Sequence, residues 1–202
     1  MEHPEMDMYA CERFLADGKT PFCGVDEAGR GPLAGPVCAA AVILPEGLVI
    51  PGLNDSKKLT AKKRDALYDI ICESAVAFGI AFATVDEIET LNIKGATYLA
   101  MNRAIADMEP APVLALVDGN DKNELAVPAI KVVKGDSLCA SIAAASVLAK
   151  VTRDRYMDDM DALYPQYGFA RHKGYGTAAH YAALCEYGPS PIHRPTYLRK
   201  MH

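Results

Sequence analysis

The sequence lacks several patterns that mark whole classes of protein. Its cysteines form neither a C-x-x-C pair nor a Cys/His cluster with zinc spacing, so no structural zinc site is predicted. No hydrophobic run approaches the roughly 20 residues that a membrane-spanning helix needs, and no repeat or biased tract is visible. Residues 1–8 are acidic where a signal peptide would be basic and then apolar. We therefore expect buried free thiols, a cytosolic location and no membrane partner.

The composition predicts one globular domain, or one domain with an appendage. The 202 residues are 50% hydrophobic and 23% charged, which is enough apolar material for a substantial core. The formal net charge of −5 argues, taken alone, against a polyanionic partner. That argument is weak, because residues 1–21 hold five acidic residues against two basic ones. Four further acids are candidate metal ligands, whose negative charge a bound cation would offset.

The hydrophobic pattern predicts an α/β fold with a mixed sheet. Residues 1–21 form a lead-in segment with a short helix at about 11–15, and residues 22–202 form the main domain. Its tail, from about residue 160, is helical and rich in loops. The pattern predicts strands at 22–25 and 37–44, which form a possible hairpin, and then helix 60–76, strand 79–85 and helix 94–108. Strands at 113–117 and 129–133 follow, and the last predicted element is a helix at 138–151 that is buried on most faces.

Acidic residues recur where apolar strands end. Asp26 and Glu27 follow one strand, Asp118 follows another, and Asp136 comes shortly after a third. Ligands of α/β sheets gather at strand ends, so three separate segments are expected to bring these four carboxylates together. Such a cluster would repel itself without a cation, and hard oxygen ligands suit Mg²⁺ or Mn²⁺. Two such ions about 4 Å apart promote phosphoryl transfer.

Each of these acids also has a plainer interpretation. Asp118 precedes Gly119 in a turn pattern, and Asp136 stands where it would cap the following helix. Asp26 and Glu27 fit such roles less well. The glycines that follow them, at positions 29 and 31, give a backbone that can approach a ligand closely, or simply a hairpin turn with a solvated Arg30. Their spacing is neither a Walker nor a dinucleotide-binding loop.

Several motifs together resemble one family. They are DEAGRGPLAGPV (26–37), LNDSKKL (53–59), VDGN (117–120), KGD (134–136) with AAASVLAKVTRD (143–154), and HKGYGT (172–177). Their order and identity are similar to those of bacterial ribonuclease HII, over about residues 23–194. One departure is the run AAAS (143–146), where related enzymes often carry another serine, and only a packing detail depends on it.

The resemblance implies an RNase H-like fold and a metal-dependent endoribonuclease. Such an enzyme cuts RNA in RNA–DNA hybrids and cuts 5′ of ribonucleotides embedded in duplex DNA, leaving a 3′-hydroxyl and a 5′-phosphate. The positions that match the family's catalytic and metal-binding carboxylates are Asp26, Glu27, Asp118 and Asp136. The positions that match its ribonucleotide-sensing segment and its junction-reading tyrosine are Gly29, Arg30, Gly31 and Tyr175.

Other basic and aromatic residues are candidate substrate contacts. Lys57 and Lys58 begin a basic run that would bind phosphates, or would form a solvated face. Tyr175 would stack on a sugar, or would only anchor its glycine-rich loop. The tail adds further candidate cations whose alternative role is hydrogen bonding within loops: His172, Lys173, His193 and Arg194.

Three other functions compete with this one. They are the related enzyme ribonuclease HIII, a non-catalytic nucleic-acid-binding module on the same scaffold, and a small-molecule metal phosphatase. The segment before residue 22 is short for the extra substrate-binding domain of ribonuclease HIII, and four intact carboxylates disfavour a module that only binds phosphate. We expect a monomeric enzyme that acts on RNA–DNA hybrids and on ribonucleotide-containing duplex DNA.

Overall fold

The computed structural model describes residues 7–121 and 125–199. The predicted lead-in segment and tail each extend beyond these limits, so residues 1–6 and 200–202 of those predictions lie outside the described residues. The division at residue 22 stays a prediction. All six cysteines are free thiols, as predicted, but only Cys23, Cys38 and Cys139 are buried. The expected burial is wrong for Cys185, which is exposed, and Cys11 and Cys72 are partly exposed. Among the described residues, no helix combines the length and the apolarity needed to cross a bilayer.

Five strands form one mixed sheet. They are β1 (Phe22–Ala28), β2 (Val37–Ile43), β3 (Ala77–Ala83), β4 (Leu114–Asp118) and β5 (Ala129–Val132), in the spatial order β3-β2-β1-β4-β5. The pairs β1–β2 and β2–β3 are antiparallel, whereas β1–β4 and β4–β5 are parallel. The predicted hairpin and mixed sheet are therefore confirmed. Because β1 and β4 are parallel neighbours, Asp26 and Asp118 reach the same edge of the sheet.

Eight helices accompany the sheet within the described residues. They are α1 (Met8–Ala16), α2 (Ala61–Ser74), α3 (Val85–Ala106), α4 (Gly135–Leu138), α5 (Ala140–Leu163), α6 (Phe169–His172), α7 (Ala178–Tyr187) and α8 (Pro195–Leu198). Single 3₁₀ turns occur at Ser56–Lys58 and Pro165–Tyr167. The helices after residue 164 make up the predicted helical and loop-rich tail.

Two predicted helices are longer than expected. Helix α3 begins at Val85 rather than at residue 94, because Thr84 and Glu87 form a capping box at its start. It contains a kink at Asn92, where the backbone leaves the helical region with φ 57° and ψ 171°. Helix α5 runs on to Leu163, well past its buried stretch. In both cases the apolar pattern locates the buried part of a helix and not its ends.

The core lies on both faces of the sheet. Helix α3 packs on the face that carries Val25 and Ala39, while α2 and α5 pack on the face that carries Ala40 and Val42. Helix α5 lies so close to β1 that a Cβ atom at Gly24 would overlap the α5 backbone at Ser141. This contact places α5 beneath the end of β1, where Asp26 emerges.

Helix α1 is attached to the main domain. Its Glu12 is buried, and the Glu12 carboxylate accepts hydrogen bonds from the backbone N–H and the hydroxyl of Ser141, both at 2.7 Å. Ala16 packs against Leu114, Leu116 and Ile142. The helix predicted at residues 11–15 therefore exists, and its buried face belongs to the domain core.

Candidate metal centre and substrate cleft

Three of the four predicted carboxylates meet at one edge of the sheet. Asp26 lies near the end of β1, Asp118 ends β4, and Asp136 lies in α4, the short helix after β5. One ligand oxygen from each of the three lies within 4.8 Å of the other two. Neighbouring residues on a strand point to opposite faces, so Glu27 projects away from this group. It still lines the same cleft.

Each of these carboxylates accepts a hydrogen bond, two from backbone N–H groups and one from a lysine. Oδ1 of Asp26 accepts the N–H of Glu27 at 2.7 Å, and Oδ1 of Asp118 accepts the N–H of Gly135 at 2.7 Å. Oδ2 of Asp136 accepts from Nζ of Lys57 at 3.1 Å. The residue at the N-cap of α5 is Cys139, so the capping role considered for Asp136 is wrong. A turn does follow Asp118, at Gly119 with φ 99°, but the Asp118 carboxylate is bonded to Gly135 at the start of α4 and not to this turn.

Burial first, and then mutual repulsion, raises the pKa values of these acids. Burial, followed by the charges of Glu27 and Asp118, raises the pKa of Asp26 well above its usual value. Burial and Asp136 raise the pKa of Asp118. Burial also raises the pKa of Glu27, and Arg30 partly offsets that effect. Three buried or half-buried oxygen donors that repel one another fit a hard divalent cation, which would remove the repulsion.

Arg30 is held between two acids. It contacts Oε1 of Glu27 at 3.4 Å through Nη1 and Oδ2 of Asp121 at 3.1 Å through Nη2. Asp121 in turn accepts from Nζ of Lys94 at 2.8 Å. Arg30 is therefore not the solvated turn residue considered from the sequence. Asp121 has no sequence signal of its own, since its partners are 91 and 27 positions away.

Two buried arginines support the loop of residues 29–36. Arg153 donates to the carbonyls of Ala34 and Pro36, both at 3.0 Å, and to that of Lys173 at 3.1 Å. Arg194 donates to the carbonyls of Gly29 at 2.6 Å and Arg30 at 3.0 Å, and to that of Gly35 at 2.7 and 2.9 Å. Gly29 has φ 98° and packs on Arg153, where a side chain would overlap the guanidinium. The shape of this loop thus depends on residues more than a hundred positions away.

Asp26, Glu27, Asp118 and residues 29–31 of this loop border an open cleft of about 220 Å³, and Asp136 lies behind Lys57, which also lines it. Tyr175 forms its far side, with its ring beside Gly31 and 47% of its surface exposed. Lys57 lines the cleft, whereas Lys58 points towards Ser137, whose hydroxyl lies 3.2 Å from Nζ. The structure therefore brings together the predicted loop, Tyr175, Lys57 and the carboxylates, and it places Lys58 beside them.

The four tail cations make contacts within the protein. His172 binds the carbonyl of Tyr167 at 2.8 Å, His193 binds Ser190, Lys173 pairs with Asp158, and Arg194 binds the loop described above. These contacts agree with the alternative role considered from the sequence, which is hydrogen bonding within the protein's own loops. Their importance for the site is therefore indirect.

Two cleft features escaped sequence reasoning. The hydroxyls of Ser56 and Ser146 are 2.8 Å apart, and the Ser146 side chain also bonds to Asp26. Lys150, one turn further along α5, lines the cleft and pairs with Asp154 at 2.6 Å. Ser146 is one of two serines in the otherwise small and apolar run 140–149, and this was the only signal that the sequence offered for it.

Comparison with known proteins identifies relatives of the whole domain. Residues 23–201 match the family described as Ribonuclease HII. Ribonuclease HII of Dechloromonas aromatica (strain RCB) is 60% identical over 175 residues, which cover 87% of this chain and 89% of that protein. Ribonuclease H2 from Pyrococcus horikoshii OT3 has a TM-score of 0.72 and 26% identity, over 87% of this chain and 92% of that chain. Bst-RNase HIII in complex with Mn²⁺ has a TM-score of 0.63 at 18% identity, over 82% and 69% respectively. These neighbours confirm the RNase H-like fold.

Proposed function

The chain belongs to the ribonuclease HII family, and from this membership we propose that it cuts duplex DNA on the 5′ side of an embedded ribonucleotide. Family membership establishes the coarser activity, which is metal-dependent hydrolysis of RNA in RNA–DNA hybrids by a type 2 ribonuclease H. The likeness to ribonuclease HIII is one of fold alone at 18% identity, so that alternative is set aside. Membership in an enzyme family also disfavours the non-catalytic module and the small-molecule phosphatase.

One observation carries the proposal. The acidic group lies in the same cleft as a glycine-rich loop and an exposed tyrosine. A 2′-hydroxyl is both a donor and an acceptor, and it is what distinguishes one ribonucleotide within DNA. Backbone groups of Gly29 and Gly31 reach such a hydroxyl without a side chain in the way. This juxtaposition supports recognition of the ribonucleotide next to the bond that is cut.

We assign the divalent cations, Mg²⁺ or Mn²⁺, to Asp26, Asp118 and Asp136, and we propose Glu27, which lines the same cleft, as a fourth ligand. When bound, they supply Lewis-acid stabilisation of the charge that develops on the phosphate. The chain's own residues do the rest. Arg30, fixed by Glu27 and Asp121, presents its cation to the cleft, and Lys57 holds Asp136 in place.

The phosphate contacts are assigned to the basic residues on the rim. Lys57 and Lys58 would bind backbone phosphates on one side of the cleft, with Tyr175 reading the junction on the other. The products would carry a 3′-hydroxyl and a 5′-phosphate. We also propose a cytosolic, monomeric enzyme, for which the free thiols give support.

A cleavage assay with three labelled duplexes tests the proposal. The substrates are a DNA duplex with one ribonucleotide, an RNA–DNA hybrid of the same sequence, and an all-DNA duplex, each with Mg²⁺ or with Mn²⁺. We expect one cut 5′ of the single ribonucleotide, cuts within the hybrid and no cut in DNA. Cleavage of the hybrid with none at the single ribonucleotide would remove the finer activity and leave the coarser one.

A further inference from the structure

Three histidines of the tail form a buried cluster behind Tyr175. His172 ends α6, His180 lies in α7, and His193 lies in the segment before α8. The rings of His172 and His180 stack with centroids 4.3 Å apart. The Nε2 atoms of His180 and His193 lie 2.9 Å apart. Such close ring nitrogens require that one donates and the other accepts.

Backbone donors determine where each proton lies. The N–H of Ser190 donates to Nδ1 of His193 at 2.9 Å, so the proton of neutral His193 is on Nε2. It therefore points at Nε2 of His180, whose own proton is on Nδ1. That Nδ1–H donates to the carbonyl of Tyr175 at 2.9 Å. The result is one directed chain of hydrogen bonds from Ser190 through both histidines to Tyr175.

The same cluster holds the other side of Tyr175. Its N–H donates to the carbonyl of His172 at 2.9 Å, and the N–H of Gly174 donates to Nδ1 of His172 at 3.2 Å. The carbonyl of Gly174 accepts the N–H of Leu33 at 2.8 Å, which ties this turn to the loop of residues 29–36. The backbone of Tyr175 is thus fixed on both sides, while its ring stays free towards the cleft.

This chain of hydrogen bonds forms only while both histidines are neutral. Burial and His180 lower the pKa of His193 to about 4, and burial and His172 lower the pKa of His180. Two other titratable side chains pack on the pair: His172 stacks on His180, and Tyr167 lies against His193. The Tyr167 hydroxyl donates to the carbonyl of Gly188 at 2.7 Å, and the apolar ring of Phe169 packs edge-on against His180. A second proton on either ring would place two N–H groups head to head.

We propose that His180 and His193 are positioning residues that hold Tyr175 against residues 29–31, and that they thereby set the preference for a single ribonucleotide in DNA. The inference rests on the proposed function, since it assumes that Tyr175 reads the junction. It assigns to the tail a part in substrate selection, although neither histidine lines the cleft.

A double-mutant cycle separates positioning from general stability. His180→Leu removes the side-chain donor to the carbonyl of Tyr175 and leaves the backbone N–H of Thr177 as its donor at 2.9 Å. This substitution is expected to lower kcat/KM on the single-ribonucleotide duplex by roughly 10- to 100-fold. The same substitution in a Tyr175→Ala background is expected to cost less than about 2-fold, because no ring remains to be positioned. His180→Asn, whose amide nitrogen takes the place of Nδ1, is expected to restore most of the loss.

Tyr167→Phe is the matched control. It removes one hydrogen bond from the same aromatic cluster, that of Tyr167 to Gly188, without touching Tyr175, so kcat/KM is expected to stay near that of the wild type. Equal losses from His180→Leu in both backgrounds would show that His180 is merely structural and would overturn the proposal. A wild-type protein that fails on the single ribonucleotide would instead refute the function on which the proposal rests.

A measurement on the wild-type protein tests the proposal even if His180→Leu does not fold. Nitrogen-15 NMR of the histidine side chains at pH 7 is expected to show His180 protonated on Nδ1 and His193 protonated on Nε2, both neutral. The opposite tautomer at either ring, or a charged ring, would break the chain to Tyr175 and overturn the proposal.

Discussion

Individual residues carry the chemistry of this protein, and Asp26 is the most constrained of them. It is buried beside two other acids, and the charge with which it is proposed to bind metal costs folding free energy when no metal is present. A carboxyl group whose pKa is raised by folding stabilises the native state while it is protonated. That stabilisation is lost as the pH rises from the usual carboxyl value through the raised one.

Asp26→Asn is therefore expected to have opposite effects on activity and stability. Cleavage of an RNA–DNA hybrid should fall by at least about 100-fold, because an electrostatic group at the reacting centre is lost. In EDTA at pH 7 the variant should melt at a higher temperature than the wild type, and the difference should shrink as the pH is lowered towards 4. Differential scanning calorimetry across this range checks the sign.

The exposed Asp69→Asn serves as the control for charge removal and should change neither property. A lower melting temperature for Asp26→Asn at pH 7 would contradict the repulsion described for the site. The same description would be contradicted if added Mg²⁺ shifted the melting temperature of Asp26→Asn as much as it shifts that of the wild type.

The sequence identified residues of this site only where chemistry leaves a local mark. Asp26 and Glu27 are adjacent acids after an apolar strand, and Gly29 and Gly31 punctuate the loop beside them. Asp121, Arg153 and Arg194 serve the same loop, but their partners are distant in the chain. Spacing along a sequence does not encode such partners, and only the fold brings them together.

Secondary-structure elements show the same limit at their ends. The apolar pattern located all five strands and the buried stretch of α5, because burial follows the period of a strand or a helix. It missed the first nine residues of α3, because Ile88 is the one buried residue before the kink at Asn92 and a single residue makes no helical period. Helix ends depend on caps, and only Thr60 before α2 was identified as a cap in advance.

The kink in α3 supports a prediction of its own. Oδ1 of Asn92 accepts the N–H groups of Lys94 at 2.9 Å and Gly95 at 3.3 Å, so Asn92 caps the second half of the helix. Asn92→Ala loses this cap and keeps a backbone geometry that disfavours alanine, so it should lower the free energy of unfolding by about 1–3 kcal/mol. Urea denaturation in metal-free buffer measures the change.

Asn92→Gly is the informative partner of that variant. Glycine relieves the backbone strain and loses only the cap, so its cost should be smaller than that of alanine. Equal costs for both substitutions would mean that backbone conformation contributes nothing at this position.

The whole molecule is acidic and yet is proposed to bind a polyanion. The net charge is −5, and three acids are concentrated at the point where the scissile phosphate would lie. Affinity for a hybrid should therefore depend on bound cations as well as on the basic rim. Composition alone does not reveal this, because it does not distinguish an acid that holds metal from an acid that repels phosphate.

Fluorescence anisotropy with a labelled RNA–DNA hybrid checks this dependence. Binding should be at least about 10-fold tighter in Ca²⁺ than in EDTA, since Ca²⁺ also takes oxygen ligands. In both buffers the affinity should fall as salt rises, in proportion to the number of phosphate contacts. Equal affinity in Ca²⁺ and EDTA would show that the acidic group does not oppose substrate binding.

The contacts of Arg194 have a consequence for the newly made chain. This residue holds the carbonyls of Gly29 and Arg30, which lie about 165 positions earlier. Domains are synthesised from the N-terminus, and contacts so distant in sequence close late. The sheet can form on the ribosome while the loop of residues 29–36 still lacks its support from Arg194. We therefore expect this loop to reach its final shape only after residue 194 has emerged, so that an unfinished chain carries the acids of the site beside a loop that is not yet held in place.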